Sequence, residues 1–216
     1  MNLKDTEQME FWKGDFGTAY TDRNSQSFES ENETYKKEYG QTRTEMNKDF
    51  LSGIDHSSKF LEVGANIGLQ LEILRQAGFS NLFGIEINEY AVARAKHLHP
   101  KVDVIKGTAF ELPFKDQWFD IAFTSGVLIH IAPKDIAGAL KEIHRVSRRY
   151  IWGFEYYAPE LTEINYRGNK GFLWKRDFAA LYRELFPDLR LVKERRFPSR
   201  GTENIDSMFL LEKKET

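Results

Sequence analysis

Cysteine is absent from the 216 residues, which excludes a disulfide framework, a thiolate nucleophile and a zinc site built on thiolates, and leaves stability to ordinary core packing. Long apolar runs are absent too. No stretch approaches the ~20 residues of a membrane span, and Met1 to Glu10 is polar and acidic without the apolar centre of a leader, so the expected location is cytoplasmic with no membrane partner. An excess of one charge is also missing: 31 Lys and Arg stand against 33 Asp and Glu, for a formal net charge of −2. That balance gives no general attraction to nucleic acid or anionic lipid, and the expected partner is a small molecule. What is present favours a packed core, since aromatics reach 14% and apolar residues 41%. The length suits one sizeable core, so the chain is expected to form a single domain over 1–216, with 1–55 a helical N-terminal extension or lid and 56–216 an α/β core.

Apolar periodicity divides the chain. Gln8 to Trp12, Thr18 to Arg23 and a longer stretch from Phe28 to Leu51 read as helices that precede the core. Strands are predicted at Lys59 to Gly64, Asn81 to Ile87, Val102 to Ile105, Phe119 to Ser125 and Tyr150 to Phe154. Helices at Leu69 to Ala77, Glu89 to His97 and Pro133 to Val146 lie between them, the last with proline in its first turn. Strand and helix trading places over about a hundred residues implies a parallel sheet covered on both faces. Trp174 to Leu185 reads as a helix, and Arg190 to Phe197 and Ile205 to Leu211 read as a terminal hairpin. The expected fold is a doubly wound, mostly parallel seven-stranded sheet with an antiparallel strand near the C-terminus. No internal repeat or low-complexity stretch divides it.

In an open parallel sheet, ligands bind outside the carboxyl ends of the strands. Glu62-Val63-Gly64-Ala65-Asn66-Ile67-Gly68 closes the first strand, where Gly64 lets backbone approach a ligand and Gly68 opens the next helix. The spacing is not the dinucleotide G-x-G-x-x-G. Glu86, with Ile87 beside it, ends the second strand 22 residues after Gly64, the place where an acid accepts both ribose hydroxyls of an adenosine-containing ligand. Either feature alone is also what packing or a solvated strand end provides.

From about Lys59 to Glu155 the chain resembles the class I S-adenosylmethionine-dependent methyltransferases, in which an acid-x-glycine turn closes the first strand and an acid ends the second. That family also carries a segment of the type G-D-A-x-x-L-P-F after the third strand, and this chain has Gly107-Thr108-Ala109-Phe110-Glu111-Leu112-Pro113-Phe114. The resemblance implies S-adenosylmethionine as cofactor, with Thr108 and Ala109 bordering the adenine and Phe110 packing on it. Thr108 stands where the family has Asp, and Asn66 where it has the middle glycine of the first turn. Phe119 to Ile131 resembles the fourth strand and following loop, so Ser125 and Gly126 are expected at the cofactor. More narrowly, Glu10-Phe11-Trp12-Lys13-Gly14-Asp15-Phe16-Gly17-Thr18-Ala19-Tyr20 and the residues to Asn24 resemble methylases associated with pseudaminic acid biosynthesis. That likeness implies a sugar or nucleotide sugar as acceptor.

His130 follows the fourth strand, where it either takes a proton from an acceptor hydroxyl or amine or braces the loop by a hydrogen bond. Tyr20 and Arg23 are candidate lid residues over the cofactor or part of an apolar stripe, and Arg43 either reaches the cofactor carboxylate or lies on a solvated helix face. Glu155 and Tyr156 follow the fifth strand and are acceptor-site candidates. Arg196 and Arg200 either hold an acidic group of the acceptor or guard an edge strand. His97 and His99 lack an accompanying acidic or cysteine cluster, so no metal is expected. The expected activity is methyl transfer to an amino or hydroxyl group of a small acceptor. A non-catalytic S-adenosylmethionine-binding regulator is the alternative, and a nicotinamide oxidoreductase is disfavoured by the glycine spacing.

Overall fold

The computed structural model describes residues 5–24 and 27–214; residues 1–4 of the polar N-terminus lie outside them. Four helices come first: α1 (Glu7–Lys13), α2 (Asp15–Arg23), α3 (Phe28–Tyr39) and α4 (Arg43–Leu51). The single helical stretch expected over Phe28 to Leu51 is therefore two helices. Gly40 turns the chain at φ 80°, and Thr42 restarts it with a capping box in which Thr42 and Glu45 exchange hydrogen bonds.

The core then alternates: β1 (Lys59–Val63), α5 (Leu69–Gln76), β2 (Asn81–Glu86), α6 (Glu89–Leu98), β3 (Asp103–Lys106), β4 (Phe119–Ser125), α7 (Ile136–Val146) and β5 (Ser147–Tyr157). Pro133 lies in the turn before α7 rather than within it. A two-stranded ribbon follows, β6 (Thr162–Glu163) with β7 (Trp174–Lys175), then α8 (Phe178–Leu185), β8 (Leu189–Pro198) and β9 (Ile205–Lys213). Trp174 and Lys175 thus belong to a strand, and α8 begins only after Asp177, whose carboxylate accepts from the Ala180 amide.

The main sheet has seven strands in the order β3-β2-β1-β4-β5-β9-β8, with β9 antiparallel to both neighbours and the rest parallel. Alternation along β1 sets the two layers. Leu61 and Val63 join Leu140, Ile143 and Tyr182 under α7 and α8, whereas Phe60 joins Met46, Leu71 and Leu74 under α4 and α5. The order reverses between β1 and β4, and the crevice at their carboxyl ends is where this topology puts a ligand.

Candidate functional site

A cavity of about 500 Å³ opens at that crevice, a volume in the range of small-molecule sites. The turn after β1 forms its floor. Gly64, Asn66 and Gly68 all have positive φ, at 80°, 47° and 75°, and the Gly64 and Ala65 amides donate to the Ile85 carbonyl at 2.8 and 2.9 Å. A Cβ at Gly64 would meet Val127 Cγ2 at 2.5 Å, so glycine here lets the loop after β4 close on the turn. Gly68 is needed for a different reason: its Cβ would press on Val102 and Val104 at 3.1 Å, and it packs against β3 outside the cavity.

Two buried carboxylates face the cavity from the ends of β1 and β2. Glu86 accepts from the Asn66 and Asn88 amides at 2.8 Å each, and burial raises its pKa against those bonds. Glu62 is 2% exposed, its Oε2 has no hydrogen-bond partner among the described residues, and burial pushes its carboxyl well above the usual range. An orphaned oxygen on a buried acid costs free energy unless a donor arrives from the cavity. Ile87, Thr108, Ala109, Phe110, Ser125 and Gly126 also line it. The Thr108 hydroxyl accepts from the Phe110 amide at 3.1 Å, which fixes the bend of that segment. Arg145, unremarked in the sequence, holds the same segment from α7. It donates to the Leu112 and Phe114 carbonyls at 2.9 and 2.7 Å and pairs with Glu142.

The N-terminal helices close one side. Tyr20 lines the cavity, and the Asn66 side chain donates to the Thr21 hydroxyl at 3.2 Å rather than pointing at open space. Arg23 stacks over Phe16 and Tyr20 outside the lining. Arg43 is completely buried among Tyr35, Trp152 and Phe154, bonds Asn47 and the Tyr35 hydroxyl, and does not border the cavity.

His130 lines the cavity with its ring between Trp12 and Tyr166, at 4.5 and 4.9 Å. Its Nδ1 lies 2.7 Å from the Phe172 carbonyl, so Nδ1 carries the proton and Nε2 is left as an acceptor. Burial pushes the imidazole down to about 4 despite that bond, far below the value near 6.5 expected of a base.

Three expected acceptor residues are not brought to the cavity. Glu155 is 1% exposed and its carboxylate accepts from the Val127 and Ile129 amides, holding the loop after β4 from below. Arg196 pairs with Glu194 and Asp177 and stacks 3.5 Å from the Tyr157 ring. Arg200 lies against Gly40, its amide donating to the Glu38 carbonyl. Both arginines are spent on packing the hairpin against its neighbours. Tyr156 does line the cavity, together with Tyr39 and Asp206, which no sequence motif marks. Among the described residues no cluster of His, Cys, Asp or Glu has the arrangement of a metal site, and no helix is long and apolar enough to cross a membrane.

Residues 61–150 match the family described as a methyltransferase domain. Over 100 residues the chain is 32% identical to cycloartenol-C-24-methyltransferase 1 of Oryza sativa, which takes in 44% of this chain and 28% of that one. It is 29% identical over 170 residues to a sterol 24-C-methyltransferase of Yarrowia lipolytica, 68% of this chain and 44% of the relative. The chain thus spans less than half the length of these curated relatives. Among solved structures, the 1,6-didemethyltoxoflavin-N1-methyltransferase of Burkholderia thailandensis superposes with TM-score 0.71 at 15% identity, covering 100% of this chain and 94% of that one. A SAM-dependent methyltransferase from Methanosarcina mazei gives 0.64 at 18%, covering 78% and 98%. These likenesses show the fold. Together with the match over residues 61–150, they make this chain similar in sequence and in fold to a methyltransferase domain.

Proposed function

We propose that the chain is a methyltransferase that holds S-adenosylmethionine across the carboxyl ends of β1, β2 and β4 and methylates an amino or hydroxyl group of a small acceptor. The observation that carries this reading is the pair of buried acids. Glu62, with its orphaned oxygen beside the Gly64 turn, suits the cofactor's ammonium group, and Glu86, one strand further, suits the ribose hydroxyls. Thr108, Ala109 and Phe110 border the adenine, and Ser125 and Gly126 lie towards the transferred methyl.

When bound, the cofactor supplies a methyl group already activated on sulfur. The protein's own work is then alignment and exclusion of water. The aromatic wall of Trp12, Phe16 and Tyr20 shields one side, and Glu155 fixes the backbone of the loop that faces the acceptor. His130, neutral and hydrogen-bonded to Phe172, braces that loop and offers Nε2 as an acceptor to the bound molecule.

A sugar is the acceptor implied by the N-terminal segment. A sterol, the substrate named for the curated relatives, suits this cavity less well, because the far end carries Glu38 and Asp206 and an apolar ring system would desolvate them without pairing them. Incubation of the full chain with S-adenosylmethionine and a panel of amino sugars, sugars and sterols, read as S-adenosylhomocysteine released, tests the reading. Release with a polar acceptor is expected. Tight cofactor binding with no release across the panel would favour a regulator instead.

A further inference from the structure

The end of the cavity remote from Glu86 has a chemistry of its own. Asp206 is the second residue of β9 and pairs in register with Tyr156 on β5. It stands four strands across the sheet from Glu86, roughly 19 Å at ordinary strand spacing. It is 2% exposed and lines the cavity. Tyr39 donates its hydroxyl to Asp206 Oδ2 at 3.0 Å, and among the described residues no hydrogen bond is made to Oδ1. Tyr39 and Tyr156 flank it along the cavity wall, with Tyr35 and Phe154 beside them. The charge balance of the whole lining is lopsided: Glu31, Glu38, Glu62, Glu86 and Asp206 against Arg167 as the one Lys or Arg among the described residues.

We propose that this end seats the acceptor and that the acceptor is a protonatable amine, held by Asp206 between the rings of Tyr39 and Tyr156. A buried carboxylate beside tyrosine rings on the cavity wall pairs with an ammonium group by a charge-assisted hydrogen bond, and the neighbouring rings add cation–π attraction. A hydroxyl in the same place gains only an ordinary hydrogen bond. The proposal rests on the methyl-transfer reading for the word acceptor, but not for the binding site itself, and an amino sugar satisfies both.

The charged surroundings of Asp206 set its pH behaviour. Burial pushes its carboxyl up to about 7; the Tyr39 hydrogen bond, Lys175 on β7 and Arg43 on α4 oppose that rise, and Glu38 on α3 adds to it. Lys175 is bonded to Asn204, and neither it nor Arg43 lines the cavity.

The test is calorimetric titration of the full chain with benzylamine and with its neutral counterpart benzyl alcohol, both with and without saturating S-adenosylhomocysteine. Benzylamine is expected to bind about tenfold or more tighter than the alcohol. Its affinity should fall as the pH is lowered from about 8 to about 6, where the carboxylate takes up a proton. In Asp206→Asn, which keeps an oxygen for Tyr39, the preference and the pH dependence should vanish while S-adenosylhomocysteine binds as in the parent. In Tyr39→Phe, losing the hydroxyl donor should move the fall to higher pH. Equal affinity for amine and alcohol, no amine binding, or a preference retained in Asp206→Asn overturns the proposal. If S-adenosylhomocysteine fails to bind but the amine preference stands, the methyl-transfer reading falls and the amine site does not.

Discussion

Gly64 is the residue at which two demands meet, a φ of 80° and a neighbouring Val127 that would lie 2.5 Å from any Cβ. Gly64→Ala should therefore destabilise the protein by about 1–3 kcal/mol, part of it conformational and part steric. Adding Val127→Ala removes the steric part alone, so the double variant is expected to recover some but not all of the loss in chemical denaturation. Full recovery would mean that the left-handed backbone is not strained; no recovery would mean that the loop after β4 does not press on the turn. His130 makes a prediction of the opposite kind, about insensitivity. With its pKa pushed down to about 4, it should give no limb in a rate profile between about pH 6 and pH 8. The unfolded imidazole binds a proton near pH 6.5 that the native state refuses, so the stability attached to this residue is complete above that value. It is lost as the pH falls through the folded value of about 4. His130→Asn, which keeps a donor for the Phe172 carbonyl, should flatten that part of the acid denaturation curve. An acid limb near pH 6.5 that disappears in the variant would restore His130 as a base.

Among the elements, α6 is tied to the N-terminal helices at its cap and along its face, where the Tyr90 hydroxyl donates to Asp22 at 2.7 Å. Asn88 caps α6 by accepting from the Ala91 amide at 3.1 Å and donates through Nδ2 to the Trp12 carbonyl at 3.0 Å. Asn88→Ala should cost about 1–2 kcal/mol through the cap and should release α1 and α2 from the sheet, seen as faster proteolysis within residues 5–24 and weaker cofactor binding. Unchanged proteolysis would show that the aromatic contacts of Trp12 and Phe16 and the Tyr90–Asp22 hydrogen bond hold the segment without Asn88. The elements also show what the sequence discloses. Strands β1, β2, β4 and the turns after them are legible because short apolar runs end in Gly64, Glu86 and Gly126, each dictated locally. The break at Gly40 is missed in the single stretch expected over Phe28 to Leu51, because the polar helix faces on either side mask the interruption even though Thr42 and Glu45 stand at capping-box spacing. The ribbon β6–β7 is not legible: two residues per strand leave no alternation to read, and Trp174 looks like the start of the helix that follows.

At the scale of the whole molecule, the half of the cavity proposed for the cofactor is largely sequence-encoded and the half proposed for the acceptor is not. Glu62, Glu86 and Thr108 to Phe110 sit at the ends of consecutive units, so the strand-turn-helix rhythm brings them together. Tyr39 and Asp206 are 167 positions apart; only the insertion of β9 beside β5 and the docking of α3 over that edge make them neighbours. For the same reason Glu155, Arg196 and Arg200 read plausibly as acceptor residues. Nothing local reveals that the first is consumed by the loop amides and the others by the hairpin. The central claim concerns the cofactor half, and direct calorimetric titration of the full chain with S-adenosylmethionine tests it most directly. One saturable site is expected, weakened about 10- to 150-fold in Glu86→Ala by loss of charge-assisted hydrogen bonds worth about 1.5–3 kcal/mol. No binding to the parent chain, or equal binding to a folded Glu86→Ala, would contradict it.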